Sequence, residues 1–235
     1  MSTRGGSRET VVVSATGAEL AGLARRATGN GSAGNRVAEN QEGHERRIIG
    51  VVGAPGAGKS TFASALTRAV GVGAVGLPMD GYHLADAELE RLGLRSRKGA
   101  PETFDAYGYA ALLARVRARE PHIVYAPGFE RVLEQPIAGA LPIGPEPDVV
   151  ITEGNYLLLD GPGWRRARSL MDEVWFVVTG EELRQRRLVE RHIRFGKSPE
   201  AARRWVAEVD QPNAAQVAAC QDRADLVVDL RRWES

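Results

Sequence analysis

The sequence predicts an α/β protein built on a parallel sheet with helices on both faces. Three observations carry this. Apolar runs with little polar alternation, such as residues 48–52 and 149–152, suit strands buried on both sides. Amphipathic stretches of helical length separate them. A glycine-rich turn over residues 53–60 links the first such run to a helical stretch, the usual grammar of a strand–turn–helix unit.

In chain order, residues 1–46 are rich in Gly, Asn, Ala and Ser and read as an N-terminal extension. Within it Leu20, Leu23 and Ala27 share a face over 18–27, compatible with a short docked helix or with a frayed tail. The folded domain is expected over 47–235. Strands are expected at 48–52, 75–79, 122–125, 149–152, 173–178 and 224–228, and helices at 60–69, 85–92, 107–119, 181–195, 199–209 and 213–219. Asp105 is placed to cap the third of these helices. Ser198, Pro199 and Glu200 put a capping hydroxyl, a helix-compatible proline and an acidic first turn in sequence. The stretch 127–147, crowded with proline and glycine, reads as an irregular excursion over the sheet.

At 235 residues the chain suits one sizeable domain, and 43% hydrophobic with 26% charged residues is an ordinary globular composition. Lys and Arg total 31 against 30 acidic residues, so the net charge of +1 gives no global reason to expect nucleic acid or an acidic membrane as partner. The only triple-valine run ends at Ser14, far short of the roughly 18 apolar residues of a membrane span. The lone Cys220 excludes an intramolecular disulfide framework and points to a reducing, cytoplasmic setting. His44, His83, His122 and His192 are scattered and offer no zinc spacing. Trp164, Trp175, Trp205 and Trp233 read as packing residues.

Gly53-Ala54-Pro55-Gly56-Ala57-Gly58-Lys59-Ser60 fits G-x-x-x-x-G-K-[ST] in full, after a strand and before a helix, with Thr61 next in line. Its glycines let backbone N–H groups curl toward phosphate oxygens, and the helix adds its positive end. Lys59 would bridge the β- and γ-phosphates, and the Ser60 hydroxyl would bind Mg²⁺. Nucleoside triphosphate binding follows.

Two carboxylates then stand at expected strand ends. Asp80 could orient or deprotonate an acceptor hydroxyl, or hold Mg²⁺ through water; a simple turn carboxylate is the competing reading. Glu153 resembles the acidic residue that closes a Walker B strand and holds a magnesium water, against a plain surface glutamate. Arg187, Arg191 and Arg194 share a helix face, with Arg184 close to Arg187; such a face suits a lid over about 184–198 that neutralises transferring phosphate, or a solvated surface. His192, about 100° round the helix from Arg191, need not serve the same ligand.

These motifs resemble the P-loop kinases that include type I pantothenate kinase, uridine kinase and phosphoribulokinase, and above all their bacterial nucleoside/nucleotide or fructose-transport-system members. The likeness rests on Met79-Asp80-Gly81-Tyr82-His83, residues 97–105, residues 151–159, and Arg191-His192 leading to 195–199. It implies a P-loop NTPase three-layer α/β/α fold with a five-stranded parallel sheet and a helical lid, ATP with Mg²⁺, and transfer to a hydroxyl of a small metabolite. It assigns the catalytic carboxylate role to Asp80, sets Tyr125 and Asn213 toward the acceptor, and makes Arg191 a lid arginine reaching phosphate or substrate.

His83, Lys98 and Asn155 are further acceptor-side candidates, each with a bland alternative as surface or turn residue, and Arg97 could join Lys98 in a positive rim. Where pantothenate kinases carry Tyr-Ser-His, this chain reads Tyr125-Ala126-Pro127, and uridine kinase's Asp-x-Tyr-Tyr is absent. The expected function is therefore an ATP-dependent kinase with sugars or polyols ranked first as acceptor, nucleosides second and pantothenate third. A homodimer is an open option. An ATP-hydrolysing regulatory switch is the competing class; the absence of N-K-x-D argues against its GTPase form.

Overall fold

β-Branched and aliphatic runs form the sheet wherever they are flanked by turn residues. The computed structural model describes residues 10–12, 18–29 and 46–233. Its strands are β1 (Thr10–Val12), β2 (Arg47–Val52), β3 (Ala74–Pro78), β4 (Val124–Glu130), β5 (Gln135–Ile143), β6 (Val149–Gly154), β7 (Glu173–Val178) and β8 (Leu226–Asp229). The helices are α1 (Ala18–Ala27), α2 (Lys59–Val70), α3 (Asp86–Arg91), α4 (Ala106–Arg117), α5 (Pro162–Arg168), α6 (Glu181–Arg194), α7 (Pro199–Trp205) and α8 (Gln211–Ala218).

The main sheet has the order β1-β8-β7-β2-β6-β3, with every neighbouring pair parallel. Alternation splits each central strand between two apolar layers. Ile48 and Val52 face Leu113, Trp164 and Val217 from α4, α5 and α8, while Ile49 and Val51 face Leu23, Phe62 and Leu66 from α1 and α2. Each such fully buried side chain contributes about 1.5–3 kcal/mol. The predicted caps form: the Asp105 carboxylate accepts from Gly108 N at 2.7 Å, and Ser198 Oγ accepts from Ala201 N at 3.2 Å.

The sheet departs from the expectation in having six strands. The additional strand is β1, whose Thr10-Val11-Val12 pairs with the edge of β8, while α1 buries Leu23, Ala24 and Ala27 beside α2. A second correction concerns residues 122–125, expected in this sheet. Val124 and Tyr125 instead begin β4, which pairs antiparallel with β5 in a separate two-stranded sheet. The stretch read as irregular is thus largely a hairpin. Its register shifts between Ala126 and Gly128, which takes Pro127 out of the ladder; a proline lacks the N–H a regular strand needs and is accommodated at such a bulge. One helix is added and one helical expectation changes. α5 forms after the turn at Gly161, with Pro162 in its first turn, and the stretch 199–209 divides into α7 and a π-helical turn over Val206–Asp210.

Register places the working ends together. Glu153 lies opposite Val51 on one side and Pro78 on the other, so the turn after β2, the end of β6 and the turn after β3 share one edge. In an open parallel sheet this carboxyl edge is where ligands bind. The β4–β5 hairpin crosses it: a Cβ on Gly81 would lie 2.2 Å from the Pro127 carbonyl oxygen, so only glycine lets the hairpin pass this close.

Candidate active site

The turn between β2 and α2 is built by backbone conformation. Gly56 and Gly58 adopt φ of +80° and +93°, in the left-handed region that side chains resist. The loop's lysine is drawn inward. Lys59 is 8% exposed and donates to the Ala54 carbonyl at 3.1 Å. Burial lowers its pKa from 10.5 to about 8, opposed by the charges of Glu153 and Asp80.

Ser60 Oγ donates to Glu153 Oε1 at 2.9 Å. Burial raises the Glu153 pKa, reinforced by Asp80 and opposed by Lys59 and the Ser60 hydrogen bond. Asp80 sits on the 3-10 turn Met79–Tyr82 that follows β3, and Arg131 Nη2 from the hairpin approaches its Oδ2 at 3.5 Å. His83 packs against Phe104 and Phe129, with centroids 3.9 and 4.7 Å away and the rings tilted by 43° and 44°. Its Nδ1 is 2.8 Å from the Asp80 carbonyl, an acceptor only, so Nδ1 carries the proton. Burial pulls the His83 pKa down and keeps the ring neutral, leaving Nε2 as an acceptor.

A cleft of about 530 Å³ joins these groups. Of the residues singled out in the sequence, Pro55, Lys59, Ser60, Asp80, His83, Lys98, Glu153, Asn155 and Arg191 line it. His192 lines it too, its Nε2 donating to Asp210 Oδ2 at 2.8 Å; the cleft wraps the end of α6, so residues 100° apart both reach it. Gly53, Ala54, Gly56, Ala57 and Gly58 shape the loop behind, and Thr61 is exposed on α2. Arg187 lies beside the loop, its Nη1 3.5 Å from where a Cβ on Gly58 would stand, without lining the cleft.

Three candidates are elsewhere. Tyr125 is exposed on the hairpin, Arg194 is exposed at the end of α6, and Asn213 is buried with Nδ2 3.5 Å from the Gly99 carbonyl. Arg97 turns outward to Glu102 at 2.6 Å, and Arg95 lines the cleft beside Lys98 instead.

The sequence reading missed Arg131 and Phe129, which the hairpin delivers, and undervalued Arg184. Buried Arg184 donates from Nη1 to the Pro55 carbonyl at 3.0 Å and from Nε to Glu181 at 2.9 Å, so it fastens α6 to the phosphate loop. Its hydrogen bonds pull the Glu181 pKa down to about 2. The signal was present as an arginine one turn before Arg187. Among the described residues no group of three or more His, Cys, Asp or Glu forms a metal cluster, and no helix is long and apolar enough to cross a membrane.

No protein-family model matches the chain. It is 39% identical over 131 residues to the "ATP-dependent kinase-like protein notR'" of Aspergillus versicolor, covering 53% of this chain and 76% of that protein. It is 34% identical over 174 residues to the "Putative uridine kinase C227.14" of Schizosaccharomyces pombe, covering 69% and 73%. Among solved structures, the "putative fructose transport system kinase" of Silicibacter sp. TM1040 superposes with a TM-score of 0.77 at 36% identity, over 88% of this chain and 98% of that one.

Proposed function

This chain belongs to the ATP-dependent P-loop kinases of the uridine kinase and pantothenate kinase group, and from that premise we propose that it phosphorylates a hydroxyl of a sugar or sugar-like polyol. The observation that carries the reading is the convergence of Lys59, Ser60, Asp80 and Glu153 on one cleft whose wall also carries the tilted aromatic cluster of His83, Phe104 and Phe129 among hydrogen-bonding groups. Such a wall suits the C–H face of a sugar, while Asn155 and His83 Nε2 suit its hydroxyls.

In this mechanism the backbone N–H groups of the loop and Lys59 hold the triphosphate. Arg191, which among the described residues pairs with no carboxylate, neutralises charge on the transferring group from the α6 side. Asp80 orients the attacking hydroxyl and accepts its proton at a carboxylate oxygen. The closely set Ser60 and Glu153 oxygens are hard donors that fit Mg²⁺, and those two residues would hold it. The ion would supply charge neutralisation at the phosphates. The segment around 184–198 serves as a lid, pinned at its start by Arg184.

The test is acceptor-dependent ADP release: slow turnover of ATP alone and much faster turnover with a sugar or polyol, with product mass showing one added phosphoryl group. Rapid turnover that no hydroxyl compound changes would instead support the regulatory ATPase. Similarity to the S. pombe protein keeps a nucleoside acceptor as the second reading.

A further inference from the structure

Beyond the nucleotide loop, the cleft has a second cationic wall. Arg95 and Lys98 come from the segment after α3, and Arg131 from the tip of the β4–β5 hairpin. Lys98 is nine-tenths buried. Its Nζ donates to Asp86 Oδ1 at 2.6 Å and to the Glu134 carbonyl, which ties the two segments into one surface and uses two of its three donors.

With Asp80 ionised the three cations meet three carboxylates, Asp86, Glu134 and Asp80, but the pairing is uneven. Arg95 reaches the same Asp86 at 2.9 Å, so one carboxylate answers two cations. Glu134 is the further carboxylate lining this wall, against the third cation, Arg131. Among the described residues Arg131 pairs with Asp80 alone, at 3.5 Å, longer than the roughly 2.7–2.9 Å of a tight charge-assisted bond. Asp80 is also the group proposed to take up the acceptor's proton, and on doing so it ceases to be a counter-charge. Three cations then face two carboxylates. Lys197, resting on the Trp205 ring at 4.5 Å, adds another positive charge from the lid side of the same cleft.

We propose that the acceptor is a hydroxylated anion whose carboxylate or phosphate is held by Arg131 with Arg95 and Lys98. This rests on the sugar or polyol kinase reading and narrows it. Arginine forks match both oxyanions, and a cationic wall in a cleft also concentrates such a ligand. His83, Phe104 and Phe129 line the same cleft and offer apolar contact to the carbon chain joining the anionic end to the reacting hydroxyl.

The experiment compares acceptors of matched carbon skeleton in three arms: neutral sugars and polyols, their sugar acids, and their phosphate monoesters. ADP release is measured with the full chain and with Arg131→Gln and Arg95→Gln. One anionic arm should exceed its neutral counterpart in kcat/KM by at least tenfold, and Arg131→Gln should shrink that preference tenfold or more. The ratio carries the result because Arg131 also touches Asp80. The arm that responds tells carboxylate from phosphate. Efficient turnover of neutral compounds with no anionic preference, or a preference unchanged in both variants, overturns the proposal while leaving the sugar kinase reading intact. If no arm accelerates ADP release, both readings fall together.

Discussion

Lys59→Met should make the nucleotide-free protein more stable while abolishing phosphoryl transfer. Lys59 is a buried ammonium whose pKa falls from 10.5 to about 8, chiefly because burial disfavours the charged form. Each pKa unit corresponds to ~1.4 kcal/mol, so at neutral pH the charge costs the free fold up to about 3 kcal/mol. Methionine keeps the aliphatic length but strands the Ala54 carbonyl, at a cost of about 1 kcal/mol. A net gain of about 2 kcal/mol corresponds to a rise in Tm of roughly 4–8 °C for a chain of this size. Between about 8 and 10.5 the unfolded chain holds a proton that the folded wild type has released, so wild-type stability rises with pH there and the mutant's advantage shrinks. Denaturant unfolding of both proteins without nucleotide, at pH about 7 and about 9.5, reads this directly. A mutant less stable than wild type at the lower pH, or an advantage unaffected by pH, would refute the picture of a strained cation waiting for phosphate.

Three further outcomes follow from the same geometry. Asp80→Asn should retain ATP affinity within about twofold while acceptor-dependent kcat falls by a factor on the order of 10² or more; nucleotide titration and steady-state rates on one preparation check this, and an unchanged kcat removes Asp80 from the chemistry. Gly81→Ala puts a methyl 2.2 Å from the Pro127 oxygen and must push the hairpin aside, so KM for the acceptor should rise with ATP affinity unaltered. Arg191→Lys keeps the charge and loses the planar fork, so kcat/KM should drop by about tenfold, whereas wild-type rates across low and high salt would mark Arg191 as a solvated surface residue.

What was legible in the sequence was what is local. The turn over 53–60 announces itself because eight contiguous residues create it and its backbone is the binding surface. Asp80 and Glu153 could be found because each ends an apolar run, and parallel strands bring such ends to one edge. Arg131 and Phe129 were hidden because their place depends on a bulge at Pro127 that breaks the strand period and on pairing with β5. Choosing Arg97 over Arg95 failed for a similar reason: a 3-10 turn over Arg95–Arg97 turns one outward and the other toward the cleft, and no period reveals which. β1 is three residues long, too short to separate from a tail until β8 is seen beside it.

The β4–β5 hairpin makes its own ladder, buries Val124, Ala126 and Ile143 in the core beside α4, and meets the site at Pro127 over Gly81, Phe129 against His83, Arg131 near Asp80, the Glu134 carbonyl on Lys98, and Gln135 Oε1 accepting from Asp86 N at 3.2 Å. None of these involves the triphosphate-binding turn. Under the proposed function, acceptor choice thus rests on a piece of chain separate from the nucleotide loop. Divergence among such enzymes can proceed by rewriting some twenty residues of hairpin, and a hairpin graft between two of them should carry acceptor preference with it while the nucleotide's affinity stays with the host.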